Sequence, residues 1–196
     1  MIRQHINSKF IILAALAISL VLPPHSSAES TAPSQFIIKP KIINWGFVKA
    51  GNRKVDTIII HTIHSPLAKN DLALSSIVNI LKKHRASAHY LILRDGSVHQ
   101  LVAENNIAYH SGWSRLPVPP YTRFLDKSSI GIELANRENT TLTDAQYESL
   151  AKLVKNIKTR HQIKNILGHK DVTSYKTDPW NFDWSKFKAM IAEDQK

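Results

Sequence analysis

"DTIIIHT", residues 56–62, decides the fold. Four β-branched residues in succession, with no polar alternation, are the pattern of a strand covered on both faces. Such a strand belongs in the middle of a sheet with layers on either side, and this one delivers a histidine, His61, at its exit.

The flanking patterns agree with a layered structure. In "DLALSSIVNILKKH", residues 71–84, Leu74, Ile77, Val78 and Leu81 share one helical stripe, and Lys82, Lys83 and His84 fall in the last turn, where the helix dipole favours cations. "HYLILRDGSVHQLV", residues 89–102, places two apolar segments around Asp95-Gly96, a dipeptide suited to a tight hairpin turn. Residues 111–129, "SGWSRLPVPPYTRFLDKSS", have three prolines and no period, which predicts a long loop of the kind that binds ligands. "SIGIELAN", residues 129–136, resumes as a strand. Thr143 with Gln146 then forms a capping box that opens a helix running to about Arg160. A short strand, "KNILG" at 164–168, and a last helix from near Asp183 complete the order. Mixed strands with helices between them predict one α/β domain, a central mixed β-sheet flanked by helices.

Length and charge set the outer bounds. A chain of 196 residues suits one domain. Its start, "MIRQHINSKF", carries Arg3 and Lys9 and no acid, and leads into the apolar run "IILAALAISLVL", too short to span a bilayer comfortably. Pro23-Pro24 and "HSSAES", with Ser26 and Ala28 at small-residue positions, predict export and cleavage after Ala28. The expectations are therefore a signal peptide at 1–28, a linker or N-terminal arm at 29–40 ("ESTAPSQFIIKP"), a domain at 41–196, a periplasmic or secreted location, no stable membrane anchor after cleavage, and a monomer. The absence of cysteine excludes disulfides, thiolate catalysis, sulfur-ligated zinc and attachment through a lipidated N-terminal cysteine.

Basic side chains number 26 against 15 acidic ones, and the excess stays at +9 when Arg3 and Lys9 are removed, which favours polyanionic surroundings. The only basic clusters, "LKKHR" at 81–85 and "KLVKNIKTR" at 152–160, read as solvated helix faces, so no nucleic-acid partner is expected.

Chemistry is legible at the strand ends. His61 follows one strand and His169 follows another, as metal ligands often do. A hydrolytic zinc site takes three protein ligands and leaves a position for water; Asp171 and Asp178, both in "GHKDVTSYKTDPW" at 168–180, compete for the third. His64 is disfavoured, because three residues along a strand point opposite ways. Strand alternation sends Gly131 and Glu133 to the face opposite Ile130, Ile132 and Leu134, so Glu133 is held rigidly beside space that Gly131 leaves for a substrate; the plainer reading of Glu133 is a surface glutamate.

Six ordered stretches, "DTIIIHT", "SAHYLILRDGSVHQLV", "AYHSGWS", "SSIGIELAN", "ILGHKDV" and "KTDPWNFDW", together resemble the type 2 N-acetylmuramoyl-L-alanine amidases, relatives of the peptidoglycan recognition proteins. The resemblance covers about residues 50–190. It implies a Zn2+ hydrolase that cuts the amide between N-acetylmuramic acid and the L-alanine of the stem peptide, with peptidoglycan or muropeptides as partners, and it makes 41–196 the zinc amidase domain. By position it implies His61, His169 and Asp178 as zinc ligands, Glu133 as the acid acting on the water, and Lys176 at the oxyanion. His89, His110 and Trp113 lie in motifs flanking the cleft and are weaker candidates for touching substrate. Family members usually continue "KTDP" with Gly-Pro, where this chain has Trp180-Asn181. A peptidoglycan-binding module without activity is the competing reading, and the complete ligand set with Glu133 argues against it.

Overall fold

The computed structural model describes residues 36–192. The expected signal segment lies outside the described residues. Among the described residues there are eight strands: β1 (Ile38–Pro40), β2 (Phe47–Lys49), β3 (Thr57–Ile63), β4 (Tyr90–Ile92), β5 (Val98–Gln100), β6 (Asn106–Ala108), β7 (Ser129–Ala135) and β8 (Asn165–Gly168). Helices α1 (Leu74–Lys83), α2 (Asp144–Lys158), α3 (His169–Val172) and α4 (Trp184–Ala192) complete the described residues, with a 3-10 turn at Leu125–Lys127. Six strands form one mixed sheet in the order β1-β5-β4-β7-β3-β8; β2 and β6 pair separately. The α/β architecture expected from the sequence is thus observed. Among the described residues no helix is long and apolar enough to cross a membrane.

β3 is interior, as its unbroken apolar run requires, but lies one strand from the edge rather than at the centre. β4, β7, β3 and β8 all run parallel, so their C-terminal ends meet on one side of the sheet. Ile58 and Ile60 of β3 and Ile130, Ile132 and Leu134 of β7 face Leu150, Val154 and Ile157 of α2 and Phe187 of α4. On the opposite face Leu91 and Ala135 pack against Ile77 and Leu81 of α1, and Ile59 against Leu116, Leu125 and Val172. Both faces of β3 are therefore covered, and the alternation of β7 is the one read from its sequence.

The capping box of α2 is present: Gln146 N–H donates to Thr143 Oγ1 at 3.1 Å, and Thr143 N–H to Gln146 Oε1 at 3.2 Å. Gly96, with φ +82°, makes the turn between the antiparallel β4 and β5.

The expected boundary at residue 41 is corrected. Ile38–Pro40 is an edge strand paired in parallel with β5, and Phe36 and Ile38 pack on the core. Pro40 is tolerated there because an edge strand has a side that needs no donor.

Candidate metal centre

The register of the parallel strands builds the site. His61 of β3 pairs with Glu133 of β7. On its other side Ile60 pairs with Gly168, so His169, the next residue, arrives beside His61 as β8 ends. All three side chains are buried at the carboxyl ends of parallel strands, the usual position of ligand sites in such sheets.

The loop after β8 brings Asp178 back to the same point. Asp171 caps the turn into α3, its Oδ2 accepting Gly168 N–H at 2.8 Å, and Lys170 N–H donates to the carbonyl of Asp178 at 2.8 Å. That geometry settles which aspartate faces the histidines. Asp171 is spent on the loop, whereas Asp178 Oδ2 lies 3.2 Å from His61 Nδ1 and Asp178 Oδ1 lies 3.2 Å from His169 Nδ1.

The two Nδ1 atoms are themselves 3.1 Å apart. Ligand atoms of His61, His169 and Asp178 all fall within 4.8 Å of one another. Two donors each about 2.0 Å from one tetrahedral ion stand roughly 3.3 Å apart, so the observed 3.1 and 3.2 Å edges fit a metal ion held by two imidazoles and a carboxylate. Burial lowers the His61 pKa, keeping the ring neutral and able to ligate. Burial alone would raise the Asp178 pKa, but its close contacts with the His169 and His61 rings outweigh burial and keep it below the usual carboxylate range.

Glu133 is buried beside this cluster, and its Oε2 has no hydrogen-bond partner. Burial, then the Asp178 charge, pushes its pKa well above 4.5, while Lys176 pulls the other way. A carboxyl so placed can take up and release a proton. Lys176 stands exposed on the lip of a cleft of about 470 Å³ that is also lined by His61, Glu133, His169, Asp178 and Trp180.

The flanking candidates separate. His110 lines the cleft but sits behind His61, its Nδ1 3.0 Å from His61 Nε2. Burial, followed by the charges of His61 and His89, holds its pKa well below 6.5. His89 does not reach the cleft. Its Nδ1 accepts Gly131 N–H at 3.0 Å and its Nε2 meets the carbonyl of Asn106 at 3.1 Å, with the Arg53 guanidinium 2.9 Å away. Burial, then Arg53, lowers its pKa to about 3, so the ring is neutral, and both its nitrogens meet the backbone. Trp113 is 80 % exposed and lies outside the cleft, in a small hollow with Arg115, Arg123 and Phe124; its backbone N–H donates to Tyr175 Oη, and Tyr175 lines the cleft.

One expectation is corrected here, and the reading that disfavours His64 agrees with its position. The space beside Gly131 is not open to a substrate: a Cβ there would lie 2.4 Å from Cγ of His110, whose ring fills it. His64 lines the cleft but takes no part in the ligand cluster, its Nδ1 lying 3.7 Å from Asp71. Sequence reasoning also missed Ser129, whose Oγ meets His110 Nε2 at 3.1 Å. The signal was available, since alternation puts Ser129 on the same face as Gly131 and Glu133. The turn after Asp178 differs from a Gly-Pro turn: Asn181 has φ +52°, which proline cannot adopt, and Trp180 N–H donates to Thr62 Oγ1 at 2.9 Å.

Two imidazoles at the ends of parallel strands and a loop carboxylate facing them form a donor set that could hold a metal ion, with a second buried carboxyl in register beside them. The chain belongs to the N-acetylmuramoyl-L-alanine amidase family, which it matches over residues 51–181. AmpD of Citrobacter freundii, a 1,6-anhydro-N-acetylmuramyl-L-alanine amidase, is 38% identical over 111 residues, or 55% of this chain and 58% of that protein. The chain thus spans less than two thirds of the length of that curated relative. A crystal structure of a selenomethionine AmpD derivative superposes with a TM-score of 0.65 at 27% identity, covering 78% of this chain and 94% of that one. AmiD from E. coli, solved with anhydro-N-acetylmuramic acid-L-Ala-D-gamma-Glu-L-Lys, superposes with a TM-score of 0.61 at 25% identity, covering 74% of this chain and 65% of that one. The expected periplasmic or secreted location does not stand. The AmpD relatives are characterised as cytoplasmic enzymes, and the segment that prompted the expectation lies outside the described residues.

Proposed function

We propose that the protein is a zinc-dependent N-acetylmuramoyl-L-alanine amidase, hydrolysing the amide between the lactyl group of N-acetylmuramic acid and the L-alanine of a peptidoglycan-derived stem peptide. The observation that carries the reading is the buried His61–His169–Asp178 cluster with Glu133 in register beside it. The AmpD names and the muropeptide seated in AmiD support the substrate class.

His61, His169 and Asp178 would hold the metal, and nitrogen and oxygen donors without sulfur suit Zn2+. Bound there, zinc would polarise the scissile carbonyl and lower the pKa of water to about 7. Glu133 takes the proton from the attacking water and returns it to the departing L-alanine nitrogen, so that the amide ends as a lactyl carboxylate and a free amine. Lys176, on the lip, faces the carbonyl oxygen as negative charge develops on it. Tyr175 and Trp180 wall the cleft on the side of the ligand loop.

The test is digestion of a defined anhydro-muropeptide by the zinc-loaded protein, with mass spectrometry of the products. Release of peptide with a free L-alanine amine is expected, with Glu133→Gln retaining zinc and losing about 10²-fold or more in turnover. Full zinc occupancy with no peptide released would favour a binding module instead, and near wild-type turnover in Glu133→Gln would remove Glu133 from the mechanism.

A further inference from the structure

The two histidines of the cluster are not held alike. His169 turns its Nε2 to the backbone carbonyl of Ser111 at 3.4 Å, so its outer nitrogen donates and its Nδ1 is free to face Asp178. His61 has no carbonyl behind it. Its Nε2 meets another imidazole, His110 Nδ1, at 3.0 Å, and a contact between two such nitrogens leaves the direction of the bond open unless something further out fixes it.

That anchor is the carbonyl of Leu125. Ser129 Oγ lies 2.6 Å from it, and a carbonyl can only accept, so the single hydroxyl proton of Ser129 is committed there. Toward His110 Nε2, 3.1 Å away, Ser129 Oγ can then only accept. Asp126 Oδ1, 3.7 Å from the same nitrogen, acts in the same sense. His110 must therefore carry its proton on Nε2 and offer Nδ1 as an acceptor, and His61 must donate from Nε2. The lone pair of His61 is left on Nδ1, the atom that faces His169 and Asp178.

The chain is sealed and stiff. Ser129 is fully buried and His61 and His110 nearly so, so the contacts are closed to solvent, and the His61 and His110 rings meet edge to face at 87°. The His110 ring reaches this position only because Gly131 presents no Cβ against it.

We propose that His110 and Ser129 are positioning residues which, through one directional chain from the Leu125 carbonyl, fix the tautomer and heading of His61 and so raise the affinity of the metal centre. This rests on the metal-binding reading above, and it adds a role for two residues outside the ligand cluster. Partners behind ligating histidines typically affect metal affinity by about 10- to 100-fold.

Two measurements on the full-length protein test it. Nitrogen-15 NMR of the histidine rings in the metal-free protein should show the proton of His110 on Nε2 and that of His61 on Nε2. Competition with a chromophoric chelator should show the Zn2+ dissociation constant rising about 10- to 100-fold in His110→Ala and by the lower end of that range in Ser129→Ala. His110→Asn, which keeps an acceptor toward His61, and Ser129→Thr, which keeps the hydroxyl, should recover most of the loss. A merely structural role would lower the melting temperature without moving the tautomers or being rescued in this pattern. A His110 proton on Nδ1 in the wild type would overturn the proposal, as would unchanged zinc affinity in a folded Ser129→Ala variant. If the wild type binds no zinc, the metal-binding reading fails, and the tautomers still decide whether the directional chain exists.

Discussion

Replacing Gly131 by alanine should destabilise the protein, although a strand position ordinarily gains from that change. Alanine has less freedom to lose on folding than glycine, worth about 0.5–1 kcal/mol. Against this, the new Cβ would lie 2.4 Å from Cγ, 2.6 Å from Nδ1 and 2.7 Å from Cδ2 of His110. To reach an ordinary carbon contact the ring must withdraw by roughly 1.2 Å. It cannot do so freely, because Nδ1 is bonded to His61 at 3.0 Å and Nε2 to Ser129 at 3.1 Å, and a shift of that size takes such bonds beyond their useful range. Overpacking costs about 1–3 kcal/mol and each lost buried hydrogen bond about 1 kcal/mol. The net expectation is a loss of about 2–4 kcal/mol, a fall in melting temperature of roughly 5–15 °C for a domain of this size. Thermal and urea unfolding of Gly131→Ala measure it, and the double variant with His110→Ala isolates the cause, since the penalty should vanish once the ring is gone. An unchanged or raised melting temperature would refute the close-approach argument, as would a penalty that persists in the His110→Ala background.

Asn181→Pro, which restores the proline that family members usually carry there, should cost ~3 kcal/mol, because φ +52° is closed to proline; Asn181→Gly keeps the backbone and should lose only the side-chain bonds to the carbonyls of Glu138 and Thr140, at about 1 kcal/mol each. Equal stability of the two variants by urea unfolding would count against the left-handed turn. Glu104 gives a pH signature: burial alone would raise its carboxyl, but hydrogen bonds from Arg160, Tyr90 and His161 outweigh burial and set its pKa below 4.5. A depressed folded pKa contributes stability that is complete above the unfolded value and fades as pH falls through the folded one. The deficit of Glu104→Gln relative to wild type should therefore be steady from neutrality to about pH 5 and shrink in more acid solution; a deficit that grows on acidification would reverse the sign of the argument.

Long periodic segments were legible because one local rule determined each. The apolar run of β3, the alternation of β7 and the Thr143–Gln146 box of α2 need no information from elsewhere in the chain. The missed elements are short. β1, β2 and β6 have three residues each, too few to display a period, and they exist because a neighbouring strand offers unpaired backbone groups. Ile38–Pro40 reads as an arm by its Pro- and Ser-rich surroundings, yet pairing with β5 and packing of Ile38 on the core outweigh that composition.

The site divides by the same criterion. His61 and His169 mark strand ends and alternation gives Glu133 its face, but the plainer surface reading of Glu133 gives way only to the parallel register that buries it beside His61. Asp178 and Asp171 lie on an irregular loop, where no period distinguishes them; the hydrogen bond from Gly168 N–H to Asp171, seen only in three dimensions, does. Gly131 shows the limit most sharply. Its lack of a side chain was visible in the sequence, but whether the vacancy serves a substrate or a neighbour depends on His110, which arrives from a loop 21 residues earlier. The same vacancy lets His110 stand behind His61, so the glycine shapes the His61–His169–Asp178 cluster through the packing of a ring rather than by leaving open space. A residue's effect on chemistry is then set by what its absence of bulk allows to pack, and that is a property of tertiary contacts which strand periodicity can point toward but not assign.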